Sequence, residues 1–238
     1  PNFLLEEKKS IYIFTKIRIY LRNFLNTIQK RYLCIIINYY YYMINIFLFG
    51  KPGAGKGTQA EFLRTKYNLL HISTGDVFRY NIKNSTKLGE LAKFFMDKGD
   101  LVPDNLTISM LENEVDKSVD VKGYIFDGFP RTIDQAKALD KFLAKKNMHI
   151  TITIALEAND EELITRLLNR GKIGGRLDDQ DEEKIRNRFE EYNKKTSILK
   201  VYYENQKKFH SVNGVGKVRE VNKRLISLID KSMLNDRG

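Results

Sequence analysis

The sequence predicts an α/β fold, a five-stranded parallel sheet with helices on both faces. Three observations carry this. Short apolar runs of strand type alternate with helix-type segments from residue 43 onward. A glycine-rich turn joins the first of those runs to the first helix. The side chains suited to chemistry follow the ends of the strand-type runs, which is where open parallel sheets bind ligands. At 238 residues the chain can bury one good core and carry mobile insertions.

Residues 43–49 are the first strand. The stretch that follows, Gly50-Lys51-Pro52-Gly53-Ala54-Gly55-Lys56-Gly57-Thr58, holds a Gly-x4-Gly-Lys core. A strand, a turn of this kind and a helix point several backbone N–H groups into one concavity at the positive end of the helix. A polyphosphate is its natural occupant, which makes the predicted fold P-loop NTPase-like, with three layers. Gly53, Gly55 and Gly57 let the backbone approach phosphates. Lys56 reaches the β- and γ-phosphates as a point charge, and Thr58 offers a hydroxyl near a metal.

The remaining elements follow in order. Residues 59–67 are helical, with Phe62 and Leu63 on the expected buried face. Leu70-His71-Ile72 is a second strand, running into Ser73-Thr74-Gly75-Asp76, cap-type residues before a helix that carries Arg79. Residues 88–98 place Leu88, Leu91, Phe94 and Phe95 at helical spacing, up to Gly99. Pro103-Asp104 opens a helix to about residue 117. Tyr124-Ile125-Phe126 is a buried-type strand that delivers Asp127, the usual metal-side partner of a phosphate loop. A helix then runs to about residue 146, and a strand spans 150–156. The helix at 160–170 has Arg166 and Arg170 on one face. Residues 171–175 read as a glycine-rich loop, with Asp178 and Asp179 as caps for a long helix over 181–205. A strand at 209–212 and a helix at 216–229 close the chain.

Composition limits the alternatives. The formal charge is +11, from 41 Lys and Arg against 30 Asp and Glu. Residues 1–42 carry seven of those cations and two acids, a net of +5, leaving +6 for the other 196 residues. Phosphate binding together with a solvated Lys-rich surface accounts for most of that excess. The basic charge together with the Tyr39–Tyr42 run leaves open an RNA-binding protein with a degenerate nucleotide pocket. One cysteine, Cys34, permits no internal disulfide, and the three histidines have no ligand-type spacing. Residues 1–42 read as an extension outside the enzyme core, without an apolar run of the roughly 18 residues that span a bilayer. A presequence or an interfacial helix is the second reading of this segment.

Four motifs in one order carry a resemblance to the adenylate kinases, of the short-lid type, from Met43 to about Ile229. They are the loop variant Gly-x-Pro-Gly-x-Gly-Lys-Gly-Thr, Ser73-Thr74-Gly75-Asp76 with Arg79, Asp127-Gly128-Phe129-Pro130-Arg131-Thr132 with Gln135, and Gly175-Arg176-Leu177-Asp178-Asp179-Gln180 with Arg188. The resemblance implies a nucleoside monophosphate kinase domain over residues 43–238, transferring the γ-phosphoryl of Mg·ATP to AMP to give two ADP. It implies that Gly53, Ala54, Gly55, Lys56, Gly57 and Thr58 wrap the ATP phosphates, with Arg166, Arg170 and the backbone at Gly216 on the ATP side. Thr74, Arg79, Leu101, Val102, Gly128, Phe129, Pro130, Arg131, Gln135, Arg176 and Arg188 hold AMP. Lys56, Arg131, Arg170, Arg176 and Arg188 take the catalytic roles, and Mg2+ is held through Thr58 and Asp127 by way of water. In-line transfer between polyanions needs positioning and charge neutralisation, which bidentate guanidiniums supply, so no general base is assigned.

The resemblance also implies two small mobile parts, an AMP-binding segment at about 73–102 and a short lid at about 170–180. Relatives with long lids often hold zinc on four ligands; this lid has no Cys or His, so no zinc site is expected. The UMP/CMP kinases share most of these motifs but usually carry Ala where this chain has Thr74, which leaves them as the second reading of the acceptor. A monomer in the cytoplasm is the family default, or an organelle if residues 1–42 are a presequence. No nucleic-acid partner is expected, nor a membrane for residues 43–238. Lys51, where the family commonly has Ala or Pro, is expected to point away from the phosphates.

Overall fold

A computed structural model describes residues 43–98, 100–118 and 120–235. The expectations for residues 1–42 and for Gly99 lie outside the described residues. The sheet has five parallel strands in the order β2-β3-β1-β4-β5: β1 Ile44–Phe49, β2 Leu70–Ser73, β3 Gly123–Asp127, β4 Ile152–Glu157 and β5 Phe209–Asn213. Chain order reverses at β1, which pairs with β3 on one side and β4 on the other. Connections therefore leave on opposite sides there, and a crevice opens beyond the strand ends.

Alternation along β1 assigns the two faces. Phe47 and Phe49 join one cluster with Leu111, Leu139, Leu143, Leu199 and Tyr203. These come from α4 (Asp104–Lys117), α5 (Ile133–Lys145) and α8 (Leu199–Asn205). Ile46 and Leu48, also buried, point to the other face. There α1 (Lys56–Tyr67) packs on β1, β2 and β3, with α9 (Val218–Asn235) beside it. A smaller core of Phe78, Ala92, Val102 and Met110 holds α2 (Thr74–Lys83) against α3 (Lys87–Met96).

Five details differ from the expectation. Phe62 is 46 % exposed, because Gln59, Ala60 and Leu63 form the inward stripe of α1. In α3 the inward residue is Ala92, leaving Leu91 and Phe94 exposed. Helix α6 (Asp160–Gly174) runs through the expected glycine-rich loop and ends at Gly175, whose left-handed φ of 63° caps it. Gly171 is there for close approach: a Cβ on it would lie 2.7 Å from the Asp179 carbonyl oxygen. The expected long helix is broken into α7 (Glu182–Glu191), one π-turn (Tyr192–Thr196) and α8. Asp181, not Asp178 or Asp179, caps α7 by accepting from Glu183 and Lys184 N–H.

Leu143 is fully buried and Phe94 is 61 % exposed. Leu143→Ala is expected to lower unfolding free energy by about 2–5 kcal/mol in urea titration, and Phe94→Ala by less than about 1 kcal/mol. Equal losses would mean that α3 buries Phe94 in solution.

Candidate active site

The strand ends and the crevice enclose one cleft of about 820 Å3. Register brings its floor together: Leu48 pairs with Asp127, and Asp127 with Ser73. The loop after β1 enters α1 through Gly55 at φ 93°. Lys56, Gly57 and Thr58 therefore form the first helical turn, whose N–H groups lack helical acceptors and serve an anion. Gly50 must be glycine, because a Cβ would sit 2.5 Å from the Leu156 carbonyl oxygen.

The Lys56 ammonium donates to the carbonyls of Gly50 (2.8 Å) and Lys51 (3.1 Å). Burial lowers its pKa to about 8, Arg131, Arg188 and Arg170 push it the same way, and Asp127 offsets part of the effect. Burial drives the Asp127 carboxyl upward, but His71 at 3.4 Å, Lys56 and Arg131 outweigh that and hold it below the usual carboxylate range. Thr58 lines the same cleft wall. One carboxylate and one hydroxyl beside a phosphate cradle suit Mg2+, which keeps several waters and arrives on the nucleotide. Among the described residues no cluster of three or more His, Cys, Asp or Glu could hold a metal by itself.

Opposite the loop, Arg131 leaves β3 and turns back so that its Nε donates to the Gly128 carbonyl at 2.7 Å. Burial lowers its pKa to about 10, with Arg188 and Arg79 adding repulsion against Asp127 and Asp178. Arg170 and Arg188 converge on Asp179, a carboxylate with no exposed side-chain surface. Arg170 Nε and Nη2 donate to it at 2.6 and 3.1 Å, and Arg188 Nη1 donates at 2.8 Å. Burial pushes the Asp179 carboxyl up, but the two guanidiniums win and its pKa is lowered. Asp178 lies 3.3 Å from Arg188 and 4.0 Å from Arg79. Asp76 accepts from Arg79 at 2.5 Å and from Arg176 at 3.3 Å, joining the 73–102 segment to the lid.

The structure brings Gly53 to Thr58, Arg79, Leu101, Asp127, Gly128, Pro130, Arg131, Arg166, Arg170, Arg176, Arg188 and Gly216 onto the cleft wall. It sets Thr74, Val102, Phe129 and Gln135 behind it. The Thr74 hydroxyl donates to the Gly128 carbonyl at 3.0 Å. Gln135 accepts from the Arg131 N–H at 2.7 Å and donates to Asp104 at 2.6 Å. Both thus shape the turn that carries Arg131. Arg166 donates to Glu162 at 2.9 Å and faces the Gly214 carbonyl at 3.4 Å. Lys51 is held by Asp160 at 2.7 Å.

Sequence reasoning missed four contributors. Asp104 supports Gln135, Asp76 bridges two arginines, His71 supports Asp127, and Thr196 donates to the Arg131 carbonyl at 3.0 Å from the π-turn. In the sequence Asp179 reads only as a helix cap. Arg170, Arg176 and Arg188, with Asp178 and Asp179 among the acids between them, were the available signal that a buried counter-charge was needed.

The family model described as adenylate kinase matches residues 48–208. An adenylate kinase of Flavobacterium psychrophilum is 69 % identical over 188 residues, covering 79 % of this chain and 99 % of that protein. One from Flavobacterium johnsoniae is 61 % identical over the same shares. A third, from Bacteroides thetaiotaomicron, is 47 % identical over 79 % of this chain and the whole of that protein. With this coverage and a cleft built to gather cations around a phosphate loop, the chain belongs to the adenylate kinase family and is an ATP:AMP phosphotransferase.

Proposed function

We propose that the cleft is a two-nucleotide site in which the phosphate loop holds Mg·ATP and the segment facing it holds AMP. The crowding of Lys56, Arg131, Arg170 and Arg188 around so few carboxylates carries this reading. Burial first, and repulsion from neighbouring guanidiniums after it, lower the pKa of Lys56 and Arg131, and a polyanion entering the cleft would favour their charged forms. Lys56 and the N–H groups of residues 56–58 take the donor phosphates, and Arg166 with Gly216 take the donor's nucleoside side. Arg79, Arg131, Leu101, Gly128 and Pro130 take AMP, with Thr74, Val102, Phe129 and Gln135 setting the position of that wall. Arg170, Arg176 and Arg188 neutralise the group in flight, where charge spreads over the equatorial oxygens. Thr58 and Asp127 would hold Mg2+ through its water shell, and the ion would supply charge neutralisation to the donor phosphates.

The Asp76–Arg176 and Arg79–Asp178 contacts span the mouth between the AMP segment and the lid. Nucleotide entry requires that they part, and the arriving phosphates then take over the same guanidiniums. The lid at 170–180 is the end of α6 with a short 3-10 turn. No described helix is long and apolar enough to cross a membrane. A monomer in the cytoplasm, without a nucleic-acid partner, follows from the family reading. Residues 1–42 stand outside the catalytic domain.

Coupled measurement of ADP formation from ATP and AMP tests the assignment. Lys56→Ala is expected to reduce kcat/KM by about 100- to 1000-fold; near-normal turnover would remove Lys56 from its role. Asp179→Asn keeps the shape and strips the charge that holds Arg170 and Arg188. A loss of about 3–5 kcal/mol in stability and about 100-fold in kcat is expected. Because the folded-state pKa of Asp179 is lowered, its stabilisation is present above about pH 3.9 and is lost as pH falls through the lowered value. Acid unfolding of Asp179→Asn should therefore be shallower below about pH 4 than that of the parent chain. A chain beginning at Met43 is expected to match the full-length rate. An unfolded or inactive product would put residues 1–42 inside the working enzyme.

A further inference from the structure

The loop between β5 and α9 has an unusual hydrogen-bond account. Asn213 O accepts from Arg224 Nη1 at 2.8 Å, and Val215 O accepts from the same nitrogen at 2.9 Å. Gly214 N–H donates to Glu157 O at 2.8 Å, and Val215 N–H donates to the Asn213 side chain at 2.8 Å. Lys217 N–H donates to Glu220 at 3.2 Å, and Lys217 O accepts from Glu220 and Val221 N–H. That leaves the N–H and C=O of Gly216 as the one peptide donor and acceptor in the loop with no protein partner among the described residues. Gly216 lines the cleft on the wall of Arg166 and the phosphate loop. It also requires glycine: its φ is 121°, and a Cβ would lie 3.0 Å from the Glu220 carboxylate.

We infer that Arg224 is a positioning residue that sets donor-base specificity by pinning the Asn213 and Val215 carbonyls, both on the N-terminal side of Gly216. The inference rests on the reading that this loop takes the base of the donor nucleotide. Arg224 comes from the first turns of α9, is exposed, and does not line the cleft. Its effect is geometric. With the Asn213 and Val215 carbonyls turned onto the guanidinium, the free donor and acceptor of Gly216 keep a fixed order in space. Adenine offers an amino donor beside a ring-nitrogen acceptor. Guanine offers an acceptor and a donor in the reverse order along the same edge. An oriented pair discriminates between them, whereas a loose loop rotates to satisfy either. Gln59 holds the other end, donating to the Val218 carbonyl at 3.0 Å and accepting from Asn222 at 3.2 Å, which ties the loop's exit to α1.

The test uses the full chain with Arg224→Met and Arg224→Lys. Arg224→Met is expected to raise KM for ATP about tenfold, and to cut the ATP-over-GTP preference in kcat/KM by a similar factor, with KM for AMP and kcat within about twofold of the parent. Arg224→Lys, which can still donate to at least one of the carbonyls, should recover part of both effects. Inorganic tripolyphosphate, which lacks a base, serves as a competitive probe of the phosphate loop alone, and its inhibition constant should stay the same in all three proteins. Losses of tripolyphosphate and ATP affinity in parallel would show general damage and overturn the inference, as would unchanged KM for ATP in Arg224→Met. Amide shifts of Gly214 and Gly216 in the parent chain on adding a non-hydrolysable ATP analogue, but not tripolyphosphate, separate the two levels. Their absence would refute the base-site reading itself, whereas their presence with an unaltered Arg224→Met would refute the inference alone.

Discussion

Cationic groups brought into one cleft repel one another, and the architecture of this protein is arranged around that constraint. The phosphate loop, the turn after β3, the end of α6 and the middle of α7 each deliver a cation to the same space. Two carboxylates make this tolerable before any nucleotide is present. Asp127 faces Lys56 and Arg131 from the end of β3. Asp179 holds Arg170 and Arg188 with no exposed side-chain surface of its own. A buried carboxylate with two guanidinium donors in good geometry is the case in which Coulomb attraction outweighs desolvation. Burial, with a smaller contribution from neighbouring guanidiniums, still lowers the pKa of Lys56 and Arg131.

The sheet supplies the precision that this crowding requires. Register aligns Ser73, Asp127 and Leu48 across three strands, so the helix after β2, the Asp127 carboxylate and the loop after β1 emerge at one level. Helix α6 is fixed to the loop at short range: a Cβ on Gly53 would meet Leu163 O and Leu167 Cγ at 3.0 Å. The Lys51–Asp160 pair adds a second tie between the same two parts. Arg166 and Arg170 therefore inherit their positions from the loop they serve. The π-turn does similar work on the other wall. Its extra residue directs Thr196 at the Arg131 carbonyl, while Gln135 takes the Arg131 N–H. The main chain of that arginine is held from both sides.

Much of this was legible in the residues, because local chemistry and tertiary role coincide there. The strand–loop–helix order around Lys56, the Asp127 at a strand end and the succession of arginines each report a function whose residue types admit few substitutes. What could not be read depended on partners distant in sequence. Thr74 and Gln135 look like ligand groups in a motif, yet their polar atoms are engaged by Gly128, Arg131 and Asp104. Phe62 and Phe94 have the spacing of core residues, but small inward neighbours, Ala60 and Ala92, let the backbone approach and leave the rings outside. Glycine was the most misleading residue type. At 171–175 it suggested a loop, whereas Gly171 is needed for close packing inside a helix and Gly175 for its cap.

That reading of glycine bears on how the turn after α6 holds its shape. A long insertion needs a staple because it has little core of its own. Here the segment from Gly171 to Asp179 is folded back on itself at backbone contact distance, and Gln180 donates to the Gly171 carbonyl at 3.2 Å. The buried Asp179 ties the turn to α6 through Arg170 and to α7 through Arg188. The same carboxylate thus fixes the turn and holds two of the guanidiniums that line the cleft. Its charge therefore serves both the packing of this corner of the fold and the placement of the two arginines.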